Sequence, residues 1–127
     1  MKLNDIIAIA ADLGWQTVVT PYKGNNCFVD FIWITKDGKP FSFSAEWIVD
    51  APELMIEDIE KFHTSFNTER YLAEYLEGIS NLNPSRYFEL FREIEDLHTR
   101  VWVLWFNLNY HLEKEEKWKE LPPFTWN

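Results

Sequence analysis

The chain has 127 residues, a net charge of −9 and a single cysteine, Cys27. That length can bury a core without cross-links, and one cysteine excludes an intramolecular disulfide framework and fits a reducing compartment. Aromatic residues make up 17% of the chain and charged residues 26%, a balance that excludes global disorder.

The opening MKLNDIIAIAADLG is too short and too acidic for a secretory signal, and no apolar run approaches a membrane span. A cytoplasmic location without membrane association is the expectation. The charge is uneven. Residues 1–48 carry −1, residues 49–83 carry −6 and residues 84–127 carry −2. Lys61 and Arg70 are the sole bases in the acidic middle third, and no basic stripe occurs elsewhere. Direct nucleic-acid binding is therefore disfavoured.

Asn4 precedes the apolar-periodic run Ile6, Ile7, Ala10 and Leu13, closed by Gly14. This predicts an N-capped amphipathic helix with a glycine just past its end, and Trp15 folding back onto it. Residues 16–22 read as a strand ending at Pro21, which suits a sheet edge. Residues 27–35 form the strongest strand signal, since Phe28, Val29, Phe31, Ile32, Trp33 and Ile34 are β-branched or aromatic. Lys36-Asp37-Gly38-Lys39 is a hairpin signal, and residues 40–48 alternate Phe41, Phe43, Ala45 and Trp47 with Ser42, Ser44 and Glu46.

Two registers fit that hairpin. A two-residue Asp37-Gly38 turn pairs Ile34 with Phe41, whereas a three-residue loop with a glycine bulge pairs Trp33 with Phe41. In both, the strand 27–35 is apolar on each face, broken by Asp30. It is either covered on both sides or exposes an aromatic patch.

Asp50 with Glu53 resembles a capping box for a helix over 51–64, with Leu54, Met55, Ile59, Phe62 and Phe66 on one side. Asn67 caps a second helix over 67–79, interrupted near Gly78. Residues 80–83 connect to a third helix over 84–118, which lacks proline and glycine beyond Pro84. There Tyr87, Phe91, Ile94, Leu97, Val101, Leu104 or Trp105, Leu108 and Leu112 form one stripe at helical spacing. Residues 119–127 read as an irregular apolar tail. The whole chain is expected to be one α+β domain, with helices over a small three-stranded antiparallel sheet. The long helix would pack on that sheet or on a second subunit.

Three segments carry a resemblance: Asp37-Gly38-Lys39-Pro40-Phe41-Ser42-Phe43, then Pro52–Phe62, then Phe66-Asn67-Thr68-Glu69. Over about residues 38–78, a third of the chain, it resembles small acidic accessory proteins carried by prophages and conjugative elements of gut bacteria. Those proteins share a glycine-led aromatic strand, an acidic helix and a Phe-Asp-x-Asp/Glu lead-in to the next helix. Asn67 stands where Asp is more usual, and both residues can cap. The resemblance implies an accessory role and no catalytic residue.

The residues themselves offer little chemistry. The sharpest constellation is a pair of Glu-x-x-His steps, Glu60/His63 and Glu95/His98, half of a di-iron carboxylate pattern that needs a Glu from each of two further helices. Glu74 or Glu77 could be one. Helical geometry instead points Glu60 to solvent and sets His98 inside the apolar stripe, so a metal-binding protein ranks third. Cys27 begins an apolar strand, where a thiol is an inert small hydrophobe. No glycine cluster cradles phosphate. Asp30 reads as a carboxylate satisfied by a neighbour, and His111 as a bystander. No catalytic residue, cofactor or metal ligand is assigned.

Two surfaces remain. Glu57, Asp58 and Glu60 belong to an acidic set that either solvates the protein or mimics a phosphate backbone toward a DNA-handling protein. Trp102, Trp105, Phe106 and Tyr110, with Phe88, widen the apolar arc of the long helix beyond what one surface covers. The leading expectation is a non-enzymatic accessory protein working through protein–protein contact, self-associating through that helix. The partner's identity is open, and a homodimer is one form of it.

Overall fold

The computed structural model describes residues 1–77 and 83–120, the side chains of 116–120 excepted. The predicted interruption near Gly78, the segment 80–82 and the tail from Leu121 onward lie outside the described residues. The order is α1 (Leu3–Asp12), β1 (Gln16–Lys23), β2 (Asn26–Ile34), β3 (Pro40–Trp47), α2 (Glu53–Ser65), α3 (Thr68–Leu76) and α4 (Pro84–Glu120). This is the α+β arrangement expected from the sequence, with a three-stranded antiparallel sheet in the order β1-β2-β3.

Helix ends differ in how they are held. α1 starts one residue before Asn4, with Lys2 at the N-cap position, and the Asp5 carboxylate accepts the Lys2 backbone N–H at 2.9 Å. Asn4 is exposed inside the helix, so it is not the cap. At the other end Gly14 has φ +96°, Gly14 N–H donates to the Ala11 carbonyl and Trp15 N–H to that of Ala10. Those two bonds are a Schellman ending, and they turn Trp15 back into the core as its position after the glycine predicts. α2 lacks the expected capping box. Pro52 occupies the N-cap with no side-chain bond, and Asp50 is exposed in the preceding turn. α3 and α4 are capped by asparagines: Asn67 Oδ1 accepts from Arg70 N–H at 3.1 Å and Asn83 Oδ1 from Arg86 N–H at 2.9 Å.

The hairpin takes the longer loop. Trp33 pairs with Phe41 and Phe31 with Phe43, while Gly38, at φ +79°, donates to the Thr35 carbonyl at 2.9 Å. That register puts Phe41, Phe43, Ala45 and Trp47 inward beside Cys27, Val29 and Phe31. All four helices leave the other face of the sheet bare. Val18, Tyr22, Phe28 and Ile34 are exposed there, so β2 is covered on one side and shows an aromatic patch on the other. Asp30 faces the same way and accepts the Ser44 hydroxyl across the sheet.

One buried cluster joins the inner sheet face to Ile6 and Ala10 of α1, to Met55, Ile56 and Ile59 of α2, and to Leu97, Val101, Leu104 and Leu108 of α4. Trp15 packs edge-on against Trp33 (5.5 Å) and Phe43 (5.6 Å), and Phe43 stacks on Phe62 (4.5 Å). α4 lies chiefly against α1, α2 and α3 rather than flat on the sheet. Beyond that cluster it meets β2 through Arg100, stacked 3.9 Å over the Trp33 ring, and the β2–β3 turn through Arg86, paired with Asp37 at 2.6 Å. Its first turn departs from expectation: Tyr87 is exposed and Leu90 is the buried residue, in a second cluster with Ile94 and Leu72.

Candidate functional site

α4 is a 37-residue helix with two apolar stripes. The core stripe runs through Leu90, Ile94, Leu97, Val101, Leu104, Leu108 and Leu112. The second comprises Trp102, Val103, Phe106 and Tyr110, exposed to 43%, 38%, 56% and 60%. At about 100° per residue these four centre nearly half a turn from the core stripe. They therefore do not widen one arc, as the sequence spacing suggests; they form a separate face turned to solvent. Val103 is the member missed from sequence, although Val103, Phe106 and Tyr110 stand at i, i+3 and i+7. Phe88, 60% exposed, lies on the same side further toward the helix start.

The remaining aromatic, Trp105, is half-buried behind Trp102, their rings stacked at 4.6 Å. Its indole Nε1 is buried without a partner among the described residues. Next to this pair the two helices exchange imidazoles. His98 stacks on His63 at 4.0 Å and on Phe66 at 4.6 Å, while His63 approaches Trp102 at 5.1 Å. His98 Nε2 lies 3.0 Å from the His63 carbonyl, which accepts only, so that nitrogen is the donor. Burial, and next the neighbouring His98, lower the pKa of His63 below its ordinary value. The pairing of two residues thirty-five apart has no signature in local spacing.

The Glu60/His63 and Glu95/His98 steps do not converge into a ligand group. The rings meet face to face and both glutamates are exposed. Among the described residues one group does bring metal-capable atoms within 4.8 Å of one another: Asp5, His111 and Glu115. Glu115 there pairs with the α-amino group of Met1 and with His111 at 3.3 Å. The amino group's hydrogen bond holds the Glu115 carboxyl below its usual pKa. Through Met1, Glu115 ties α4 to the residues just before α1, and His111 has in Glu115 a partner at i,i+4 on the same helix. Cys27 is buried, and that burial raises its thiol pKa, which suppresses thiolate chemistry.

No family model, curated protein or solved structure matches this chain.

The acidic residues of α2 are divided. Glu57 and Glu60 are exposed, whereas Asp58 is half-buried and its carboxylate accepts Glu46 N–H of β3 at 3.3 Å. Asp58 thus covers a free donor on the edge strand. A cleft of about 740 Å³ lies between the β2–β3 turn and the first half of α4, lined by Trp33, Lys36, Arg86, Arg92, Glu93 and Arg100 among others. Two of its arginines are committed, Arg86 to Asp37 and Glu89, and Arg100 to Asp96 at 2.7 Å. No helix among the described residues is long and apolar enough to cross a membrane.

Proposed function

We propose that this chain is a non-enzymatic accessory protein that acts by protein–protein contact through the solvent face of α4. One observation carries the reading: Trp102, Val103, Phe106 and Tyr110 stand exposed on the side of the helix opposite its core stripe. Lone exposed apolar residues are ordinary, but four on adjoining turns make a patch on the order of 400 Å², a size that is often functional. Tryptophan and tyrosine are also the residues that most often dominate binding energy. The resemblance over residues 38–78 supports a setting in a prophage or conjugative element.

The acidic-mimic alternative draws less support. A phosphate mimic needs carboxylates free along one face, and two of the acidic set are engaged: Asp58 is bonded to β3 and Glu74 lies 3.8 Å from Arg70.

The test is a charge placed in the patch. Phe106→Glu and Tyr110→Glu, made singly, should leave the far-ultraviolet circular dichroism and thermal midpoint near wild type while abolishing association in sedimentation velocity and in co-purification. Association that survives both substitutions in folded protein would refute the reading.

A further inference from the structure

Resting on that reading, we propose that the partner on this face is a second copy of the chain, packed antiparallel along α4 with a twofold axis at Phe106. A twofold interface uses one patch on both sides, so the patch must complement itself. In an antiparallel pair centred on Phe106, each residue a given number of positions before it faces the one the same number after. The exposed stripe has that symmetry: Trp102 lies four before and Tyr110 four after. The pairing stacks Trp102 on Tyr110 at both ends and Phe106 on its own copy at the centre, while Val103 meets Asn109.

Charge selects this arrangement over its neighbours. Glu95 and Glu113 are exposed. A parallel, in-register pair would set each glutamate against itself, two like-charge contacts. Moving the antiparallel axis two residues back, to position 104, brings Glu95 opposite Glu113. Moving it two residues forward, to position 108, buries Val103 against Glu113. With the axis at Phe106, Glu113 faces Thr99 and the two carboxylates stay apart. Each copy carries −9, so avoiding further repulsion in the contact matters. The patch supplies roughly 400 Å² per copy against the roughly 800 Å² of a standard interface, so flanking polar residues complete it and the dimer separates on dilution.

The experiment uses the full chain and a short bis-maleimide cross-linker. Cys27 is 3% exposed, and wild type serves as the unreactive control. Thr99→Cys and Glu113→Cys are prepared separately with tags of different mass, then mixed. The expected result is a mixed-tag dimer, with little cross-linking of Glu113→Cys alone. Sedimentation should show a wild-type dimer whose dissociation constant rises by about tenfold or more in Trp102→Glu. Efficient cross-linking of Glu113→Cys to itself would overturn the antiparallel geometry and leave the α4 face as the contact. A wild-type chain that stays monomeric at hundreds of micromolar, by order of magnitude, would overturn the second copy. A dimer untouched by Trp102→Glu would overturn the α4 face itself.

Discussion

Gly14 carries the chain from α1 into β1 at φ +96°, and a Cβ added there would stand 2.7 Å from the Trp33 ring. Gly24 also has positive φ, +58°, but nothing lies within 4 Å of its added Cβ. Both alanine substitutions meet the left-handed penalty of about 1–2 kcal/mol, and Gly14→Ala adds the collision with Trp33. Urea unfolding should therefore rank Gly14→Ala clearly below Gly24→Ala, with the latter losing about 1 kcal/mol. His63 sets a second, pH-dependent term. Its folded pKa is depressed, so the unfolded chain binds the proton more readily. The sign follows: stability from this group is full above the unfolded value of about 6.5 and falls as pH drops through it, levelling once the folded ring also protonates. Comparing urea midpoints at about pH 7.5 and 5.5 should show wild type losing stability and His63→Leu losing less, in a window above most carboxylate titration.

At the scale of elements, α4 carries two faces with separable roles. Leu104 is fully buried in the main core and Phe106, two positions on, is 56% exposed. Leu104→Ala should lower unfolding free energy by about 2–5 kcal/mol, whereas Phe106→Ala should leave it within about 0.5 kcal/mol and act on association. Denaturant titration at low protein concentration separates the two. Much of this was legible in the sequence. The strand alternation from Phe41 to Trp47 and the spacing from Ile94 to Leu112 both report which side faces a core, because burial repeats with the period of the element. The hairpin register was not, since Asp37-Gly38 suits either loop and the choice rests on which residue adopts positive φ. The outward aim of Phe106 and Tyr110, by contrast, follows from the stripe Ile94 to Leu112 once each residue is set about 100° from the last. Apolar content alone does not distinguish a wide buried arc from two opposed stripes; fixing the core stripe does. α1 begins just after Lys2 because the Asp5 carboxylate bonds back to the Lys2 backbone N–H, a capping bond that needs no Asx or Ser at the N-cap itself. The stack of His63 on His98 depends on how α2 and α4 lie together, which no local pattern encodes.

For the molecule as a whole, the helices crowd one side of the sheet, and among the described residues the α4 patch and the bare sheet face around Phe28 lie on different sides. The first is a ridge of projecting aromatics. The second is interleaved with Asp30, Ser42, Ser44 and Glu46, and the Tyr22 hydroxyl is bonded to Glu46. That interleaving keeps the sheet face wetted, so the ridge is the better contact. In the proposed dimer, two chains of −9 would repel at long range while the ridge holds them together. Raising salt from about 0.05 to 0.3 M should therefore tighten the dimer, the reverse of an interface built on ion pairs. Sedimentation equilibrium at the two concentrations measures the direction.

The position of α4 along the chain has a consequence for biosynthesis. Ile6 and Ala10 are sealed by side chains from Leu97 onward, about ninety residues later in the chain. Translation at roughly 5–20 residues per second leaves the apolar sides of α1 and α2 without their cover for several seconds. During that interval the core lacks the α4 side chains that close it. The helix that carries the exposed aromatic ridge is thus also the one whose emergence ends the period of greatest exposure to aggregation and proteolysis.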